Sequence, residues 1–312
     1  MNAIQVNQLT RSFGSLKAID RLSLEIPRGT VFGFLGPNGS GKTTTIRLLL
    51  GLLDADQGSA QVLGFNIKKQ PEEVRIRCGA LLEHHGLYER LSAAENLDYY
   101  GRIWHMSKVD REKRIRELLE PLDLYIRRDE AIGRWSRGMK QKLAVARTLM
   151  HHPELIFLDE PTAGLDPVAS ANLREDLSTL VAQEGVTIFL TTHNLAEAEK
   201  LCNQVGVINR GQLLAMGSPA ELRSKTSAPR LYISGQNITS KVMEDLKQNT
   251  LLKKLQQQNG KLIMDLKDLT RSHEIVTQLV GMGVQIDEVR KESADLEDVF
   301  LQLVDEEKRG AE

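Results

Sequence analysis

From residue 1 to about 225, short runs of apolar and β-branched residues alternate with stretches whose apolar positions recur every three or four residues. Val31–Leu35, Leu155–Leu158 and Val186–Leu190 are of the first kind, and such short runs predict buried strands. Leu173, Leu177, Leu180 and Val181 are of the second kind and lie between two of those runs. The connection therefore reads as a crossover helix, and strands joined in that way run parallel. After Val31–Leu35 come a glycine-rich turn and a helical pattern through Leu53. The segment reads as an α/β domain built on a sheet.

Between about 84 and 150 helix signals dominate. Ser92-Ala-Ala-Glu95 is a capping box, Asp110 is placed to cap Arg111–Leu119, and Ser136 to cap a helix through Met150. This predicts a helical subdomain inserted into the sheet domain. Beyond about 225 the pattern changes again. Strands at Arg230–Ser234, Leu251–Gln257, Lys261–Leu266 and Val284–Val289 alternate with helices at Lys241–Lys247 and Arg271–Val280, and Asn259-Gly260 is a hairpin turn. The order β-α-β-β-α-β predicts a small α+β, ferredoxin-like domain over 226–312. A last helix carries Leu296, Val299, Phe300 and Leu303, and "RSKTSAPR" at 223–230 reads as the linker.

A length of 312 residues agrees with two domains rather than one core. Lys and Arg total 41 against 42 Asp and Glu. The chain thus lacks the basic excess that neutralises nucleic-acid phosphates, and no nucleic-acid partner is expected. Cys78 and Cys202 have no metal-ligand spacing, and without an export signal at the N-terminus a disulfide is not expected, which points to a reducing cytosol. Apolar runs such as Ile46–Leu53 are broken by Arg47 and Gly51 and fall far short of the roughly 20 residues that a membrane span needs. If a membrane is involved, a partner supplies it.

The chemistry is concentrated in a few short stretches. "GPNGSGKT", residues 36–43, fits the phosphate-loop pattern G-x-x-x-x-G-K-[ST] and lies where that loop must lie, between a strand and a helix. Gly36, Gly39 and Gly41 allow the backbone of Gly36, Pro37, Asn38, Gly39, Ser40 and Gly41 to turn its N–H groups inward at a β-phosphate. Lys42 can reach the β- and γ-phosphates, Thr43 can ligate Mg²⁺, and Thr44 can touch the α-phosphate. "LIFLDEP", residues 155–161, ends a buried strand in two acids. Asp159 is placed for the Mg²⁺ shell and Glu160 for the γ-phosphate side, as the base that activates water. His193, in "FLTTHN", follows another buried run and can bond the γ-phosphate or orient that water. The doublets His84-His85 and His151-His152 are not expected to hold a metal, because adjacent residues on a helix do not share a face.

Taken in order, "GPNGSGKT", "WSRGMKQK" at 135–142, "LIFLDEP", "AGLDP" at 163–167 and "TTH" at 191–193 resemble the nucleotide-binding subunit of an ABC transporter over about the first 220 residues. The resemblance implies a P-loop NTPase fold, with ATP and Mg²⁺ as cofactors. It also implies that Ser136, Gly138 and Met139, at the start of a helix, face the γ-phosphate of ATP held by a second subunit. There a hydroxyl and the free N–H groups of a first helical turn would meet the anion. By the same resemblance Asp166 cross-talks between the two sites and Phe13 stacks on adenine. The signature departs from the family's commonest form at Arg137 and Met139, where glycine and glutamine are frequent; "SRGMKQ" and the tail "ADLEDVFLQL" at 294–303 resemble ATPases of drug, antibiotic and other small-molecule exporters. Glu83, in "GALLEHHGLY", stands where the family usually has a glutamine that touches Mg²⁺, and a carboxylate can ligate that cation at least as well. The implied partners are a second ATPase subunit, identical or different, and a separate polytopic permease. The implied place is the cytoplasmic face of the cell membrane. A different expectation, a soluble ABC ATPase acting on ribosomes or nucleic acid, is weakened by the single cassette and by the lack of sustained heptads or a basic tract.

Overall fold

The computed structural model describes residues 2–226, 230–258, 261–292 and 295–310, and the chain divides into two compact units, Met1–Ser218 and Pro219–Glu312. In the first unit the order is β1 (Asn2–Phe13), β2 (Leu16–Pro27), β3 (Val31–Leu35), α1 (Lys42–Leu49), β4 (Gln57–Val62), β5 (Phe65–Asn66), α2 (Pro71–Ile76), β6 (Cys78–Leu81) and α3 (Ala93–Ile103). There follow α4 (Lys108–Leu119), α5 (Arg137–Thr148), β7 (Leu155–Asp159), α6 (Pro167–Glu184), β8 (Thr187–Thr192), α7 (Leu195–Leu201), β9 (Gln204–Asn209) and β10 (Gln212–Gly217).

The central sheet has the order β10-β9-β3-β8-β7-β6, with β10 antiparallel to β9 and the other neighbours parallel. Its three apolar runs are completely buried, so the absence of a polar face in the sequence corresponds to burial on both sides of the sheet. Phe32, Phe34, Phe157 and Phe189 lie on one face, fully buried, with the Phe189 ring centroid 5.4, 5.5 and 5.6 Å from those of Phe32, Phe34 and Phe157. Each such ring contributes about 1.5–3 kcal/mol by burial alone. On the other face a Cβ at Gly33 would stand 2.7 Å from Cys202 Sγ, so Gly33 admits the close approach of the segment after α7. The crossover helix between β7 and β8 is α6, in which Leu173 and Leu177 are buried; the side chains of Leu180 and Val181 lie outside the described residues.

A second, antiparallel sheet of order β2-β1-β4-β5 accompanies the first and was not legible in the sequence. Its first strand pairs through repeated register shifts, among them one between Val6 and Leu9, which break the period-two alternation that marks a half-buried strand. Helix α1 stops at Leu49 rather than Leu53, because Gly51 takes a left-handed conformation (φ +64°) and closes the end with an N–H donated to Leu48 O. The capping box is present: Ser92 Oγ accepts the Glu95 N–H, and Glu95 Oε2 accepts the Ser92 N–H. The cap of α4 is Ser107, not Asp110. Ser107 Oγ accepts the Asp110 N–H at 3.2 Å and donates to the Asp110 carboxylate at 2.6 Å, which places Asp110 inside the first turn, where its charge favours the helix N-terminus. Helix α5 packs against β6, and a Cβ at Gly79 would collide with Thr148 O, so its last turns belong to the sheet rather than to the insertion.

The second unit consists of α8 (Pro219–Thr226), β11 (Arg230–Gln236), α9 (Ser240–Lys247), β12 (Leu252–Gln258), β13 (Lys261–Leu266), α10 (Ser272–Gly281), β14 (Gln285–Glu292) and α11 (Leu296–Gly310). Its sheet is antiparallel with the order β12-β13-β11-β14. Leu231, Ile233, Leu262 and Met264 alternate inward from the two central strands onto Val242, Leu246, Ile275 and Leu279 of α9 and α10. The division between the units falls before α8, which packs on α11, so residues 219–226 are helix of the second unit and not linker. Residues 227–229 and the turn Asn259-Gly260 lie outside the described residues.

Candidate nucleotide site

Parallel neighbours end at the same edge of a sheet, and this brings the distant sequence stretches together. Leu35 of β3 is in register with Thr192 of β8, and Thr191 of β8 with Asp159 of β7. The phosphate loop leaves β3 there, Glu160 follows β7, and His193 follows β8, which is the edge at which ligands of open α/β sheets collect. The loop turns through Gly39 (φ +80°) and Gly41 (φ +108°). A Cβ at Gly41 would also come within 2.6 Å of Ala18 O, so that position excludes any side chain twice over.

Lys42 is buried, and its ammonium donates to Gly36 O at 2.8 Å and Pro37 O at 3.1 Å. It also pairs with Glu160 Oε1 at 3.2 Å, and Glu160 Oε2 is 2.9 Å from His193 Nδ1. Lys42, Glu160 and His193 thus form one contact chain from the loop to solvent. Beside it, Asp159 accepts a hydrogen bond on each carboxylate oxygen, from Thr43 Oγ1 at 2.7 Å and from Thr191 Oγ1 at 2.5 Å. Glu160 has φ +48°, a left-handed conformation unusual for a residue with a side chain. Its N–H is held by Thr191 O at 3.1 Å and Thr191 Oγ1 at 3.0 Å.

Lys42, Thr43, Asp159 and Glu160 face a cleft of about 1160 Å³, and His193, behind Glu160, is not among its lining residues. Asn38, Gly39, Thr44, Phe13, Leu16, Ala18, Glu83, Trp135 and Arg137 are among its other lining residues. Phe13 is 45% exposed, with the Arg11 guanidinium 4.9 Å from its ring centroid, so its ring is available to a ligand and not part of the core. Glu83 is exposed in the cleft wall, and its carboxylate reaches Arg47 of α1 at 3.4 Å.

Ser136, Gly138, Met139 and Asp166 are not among the residues lining that cleft. Ser136 caps α5, its Oγ accepting the Met139 N–H at 3.2 Å, and is itself exposed. A Cβ at Gly138 would stand 3.2 Å from Ala169 Cβ, so this glycine sets the approach of α5 to α6. Asp166 caps α6, accepting the N–H groups of Val168 at 3.0 Å and Ala169 at 2.9 Å. Arg137 lays its guanidinium where a side chain at Gly164 would be, which joins the start of α5 to the "AGLDP" loop. A signature arginine thus acts here as a packing group between the two motifs.

Sequence reading missed several supporting residues. Glu197, little exposed, accepts from Thr162 Oγ1 at 2.5 Å and from Arg174 at 3.0 Å, and so ties the loop after Glu160 to the helix after His193. Of the histidine doublets, His85 has its basicity lowered by burial and accepts the Leu87 N–H on Nδ1. His151 stacks on Trp104 at 3.9 Å and reaches Cys78 O at 3.2 Å. Cys78 and Cys202 are free and buried, with burial raising both thiols to about 12. No described helix is long and apolar enough to cross a membrane.

The chain is similar along most of its length to known proteins. The family model described as ABC transporter matches residues 19–163. The bacitracin transport ATP-binding protein BcrA of Bacillus licheniformis is 35% identical over 303 residues, which cover 96% of this chain and 97% of the relative. The daunorubicin resistance ATP-binding protein DrrA3 of Streptomyces coeruleorubidus is 34% identical over 311 residues, covering 98% and 97%. Among solved structures, cbiO1 from Clostridium perfringens, part of the ABC transporter complex cbiONQ, superposes with a TM-score of 0.68 at 25% identity, covering 72% of this chain and 91% of that one. With the motifs gathered at one sheet edge and relatives matching along nearly its whole length, the chain belongs to the ATP-binding subunits of ABC transporters, the ATPases that energise transport by hydrolysing ATP.

Proposed function

We propose that the chain hydrolyses Mg²⁺-bound ATP in a site completed by a second protomer, and so drives a separate membrane-spanning permease. The observation that carries this reading is the contact chain from Lys42 through Glu160 to His193, set beside the Thr43–Asp159 pair. In this reading the backbone of Gly36–Gly41 cradles the β-phosphate, Lys42 reaches the β- and γ-phosphates, Thr44 the α-phosphate, and Phe13 stacks on adenine. Thr43 and Asp159 offer hard oxygen donors, and because Thr43 Oγ1 directs its proton at Asp159, its lone pairs remain for a cation. Mg²⁺ held there supplies positive charge to the β- and γ-phosphate oxygens. Glu83, which lines the same cleft, would add a further carboxylate oxygen toward that cation.

Glu160 is the general base. A γ-phosphate arriving at Lys42 competes with Glu160 Oε1 for the ammonium and releases that oxygen to take a proton from water, while His193 keeps hold of Oε2 and orients the carboxylate. Ser136 is exposed at the start of α5, where its hydroxyl and the N–H groups of the first turn are open to an anion brought by another chain, which supports the pairing of Ser136, Gly138 and Met139 with the γ-phosphate bound by a second protomer. Asp166, adjacent through the Arg137–Gly164 contact, relays between the two sites. Every part is present in one chain, so a homodimer has two competent sites; a heterodimer with a related subunit is the other arrangement.

The relatives named for bacitracin transport and daunorubicin resistance support export of a small molecule or drug from the cytoplasmic face of the membrane. They also favour this reading over an ATPase that acts on ribosomes or nucleic acid. The test is ATP turnover per protomer as a function of protein concentration. Turnover that rises steeply with dilution reversed and then saturates is the expected result; a rate per protomer that stays constant down to concentrations at which light scattering finds only monomer overturns the shared site.

A further inference from the structure

Thr191 is the fifth residue of β8, wholly buried, and in register with Asp159 across the strand pair. A hydroxyl has one proton to donate and two lone pairs with which to accept. Both capacities of Thr191 Oγ1 are in use: it donates to Asp159 Oδ1 at 2.5 Å and accepts the Glu160 N–H at 3.0 Å. The two acids with separate roles in the proposed hydrolysis are therefore fastened to one oxygen atom. On the far side of Asp159, Thr43 Oγ1 holds the second carboxylate oxygen at 2.7 Å, so the carboxylate plane is fixed from both ends. Glu160 needs such a fastening in particular, since its φ of +48° is a conformation that a residue with a side chain leaves unless its surroundings hold it. The neighbouring hydroxyl, on Thr192, accepts the Asn194 N–H at 2.9 Å and serves the following turn instead.

We infer that Thr191 is a positioning residue, whose hydroxyl sets the angle at which Asp159 meets the divalent cation and holds the backbone turn that aims Glu160. The inference rests on the hydrolysis reading above. Threonine suits the role because its β-branch restricts χ1 and points the hydroxyl one way from a strand. Valine has the same shape and neither hydrogen-bonding capacity. In its place Asp159 Oδ1 has no donor in a buried setting, and the carboxylate rotates toward Thr43; Glu160 keeps only the carbonyl of residue 191. Of the phosphate loop only the side chains of Thr43 and Lys42, through Asp159 and Glu160, are reached by these changes, and the backbone cradle of 36–41 is not. Cation binding and the catalytic step should therefore suffer while the grip on nucleotide remains.

The experiment compares Thr191→Val and Thr191→Ser in the full chain with the parent protein and with Glu160→Gln. Mn²⁺ binding to the ATP-loaded protein is read by electron paramagnetic resonance, ATP binding without divalent cation by fluorescence, and kcat and KM in steady state. Thr191→Val should lose about 10–100-fold in Mn²⁺ affinity or in kcat, with cation-free ATP binding within about twofold of the parent, and Thr191→Ser should recover both. If Thr191→Val does not fold, as judged by its thermal melt, Thr191→Ala takes its place under the same criteria. Parental Mn²⁺ affinity and kcat in the hydroxyl-free variant, or a serine variant as impaired as valine, overturns the inference. Glu160→Gln separates the two levels: parental turnover in that variant refutes the hydrolysis reading itself, whereas an inactive Glu160→Gln beside an unaffected Thr191→Val refutes only the role of Thr191.

Discussion

At the ends of β3, β7 and β8 the polar side chains bind one another. Lys42 pairs with Glu160, Glu160 with His193, and Thr43 and Thr191 hold the two oxygens of Asp159. At Ser136–Met139 the hydroxyl of Ser136 bonds a backbone N–H of its own first turn; Ser136 and Arg137 are exposed, and Arg137 borders the cleft. The first group is preorganised by its own chain, so its geometry is there before a ligand arrives. The second contributes only a polarised helix start. At an exposed end that is worth about 0.3–1 kcal/mol, and more only when an anion is enclosed against it in a water-poor site. In the proposed cycle the strand-end group holds the nucleotide, and the helix start decides when it is consumed.

The most damaging break in the first group is Glu160→Gln. Removing a positioned general base costs about 10²–10⁴-fold in rate, so kcat should fall by that factor while ATP still binds and still brings two protomers together, which gel filtration with ATP and without it reads directly. A charge placed at the helix start attacks the second group instead. Ser136→Glu should lower turnover about 10²–10³-fold, the cost of losing a preorganised donor, yet leave ATP binding to the monomer unchanged. Mixing the two variants sharpens the comparison: a mixed dimer has one site with Glu160 and Ser136 both intact, so partial activity should return on mixing, and its failure to return argues that the halves are not contributed by different chains.

Smaller effects test where Glu83 belongs. Its pair with Arg47 is exposed, and such pairs are worth about 0–1 kcal/mol, so Glu83→Ala should leave urea stability within about 1 kcal/mol. A raised Mg²⁺ requirement for hydrolysis in that variant places Glu83 with the strand-end group; an unchanged requirement leaves it as a partner of Arg47 alone. The smallest effect concerns a residue of neither group. Burial lowers the His151 pKa to about 4 from the ordinary 6.5, so the folded chain keeps a neutral ring whose Nε2–H is placed to donate to Cys78 O. Between those values the unfolded chain binds the proton more readily. The stabilising contribution is therefore complete above pH 6.5 and declines as the pH falls toward 4. Thermal melts at pH 7 and pH 5 should show this decline, and His151→Phe, which can keep the stacking on Trp104, should flatten it.

Much of the first unit could be read along the chain because its signals are local. Val31–Leu35 was delimited as it is found, since five apolar residues between polar flanks fit a strand covered on both sides. The phosphate loop was legible because its glycines meet a steric demand that few other sequences meet. The Ser92 capping box was legible because its partners are three residues apart. Where two local signals competed, sequence proximity misled. Asp110 and Ser107 are both capping residues, and only the packing of α4 through Ile115, Leu118 and Leu119 settles which turn is the first. The bulged strand β1 hid its sheet because pairing across the shifts depends on β2 and β4, not on its own alternation.

The succession of short apolar runs and the local motifs were enough to determine, by themselves, the α/β class of the first unit, the phosphate loop and the two acids at the end of β7, and the resemblance of five motifs in order pointed to the family. The first three are properties that steric demand and periodicity write into neighbouring residues. Tertiary structure alone decided that Thr191 fastens both acids, that Glu197 ties Thr162 to α7, and that Arg137 fills the space above Gly164. Each of these depends on which strands are neighbours and on their register. That choice is made by burial summed over the whole sheet, and no single stretch of sequence records it.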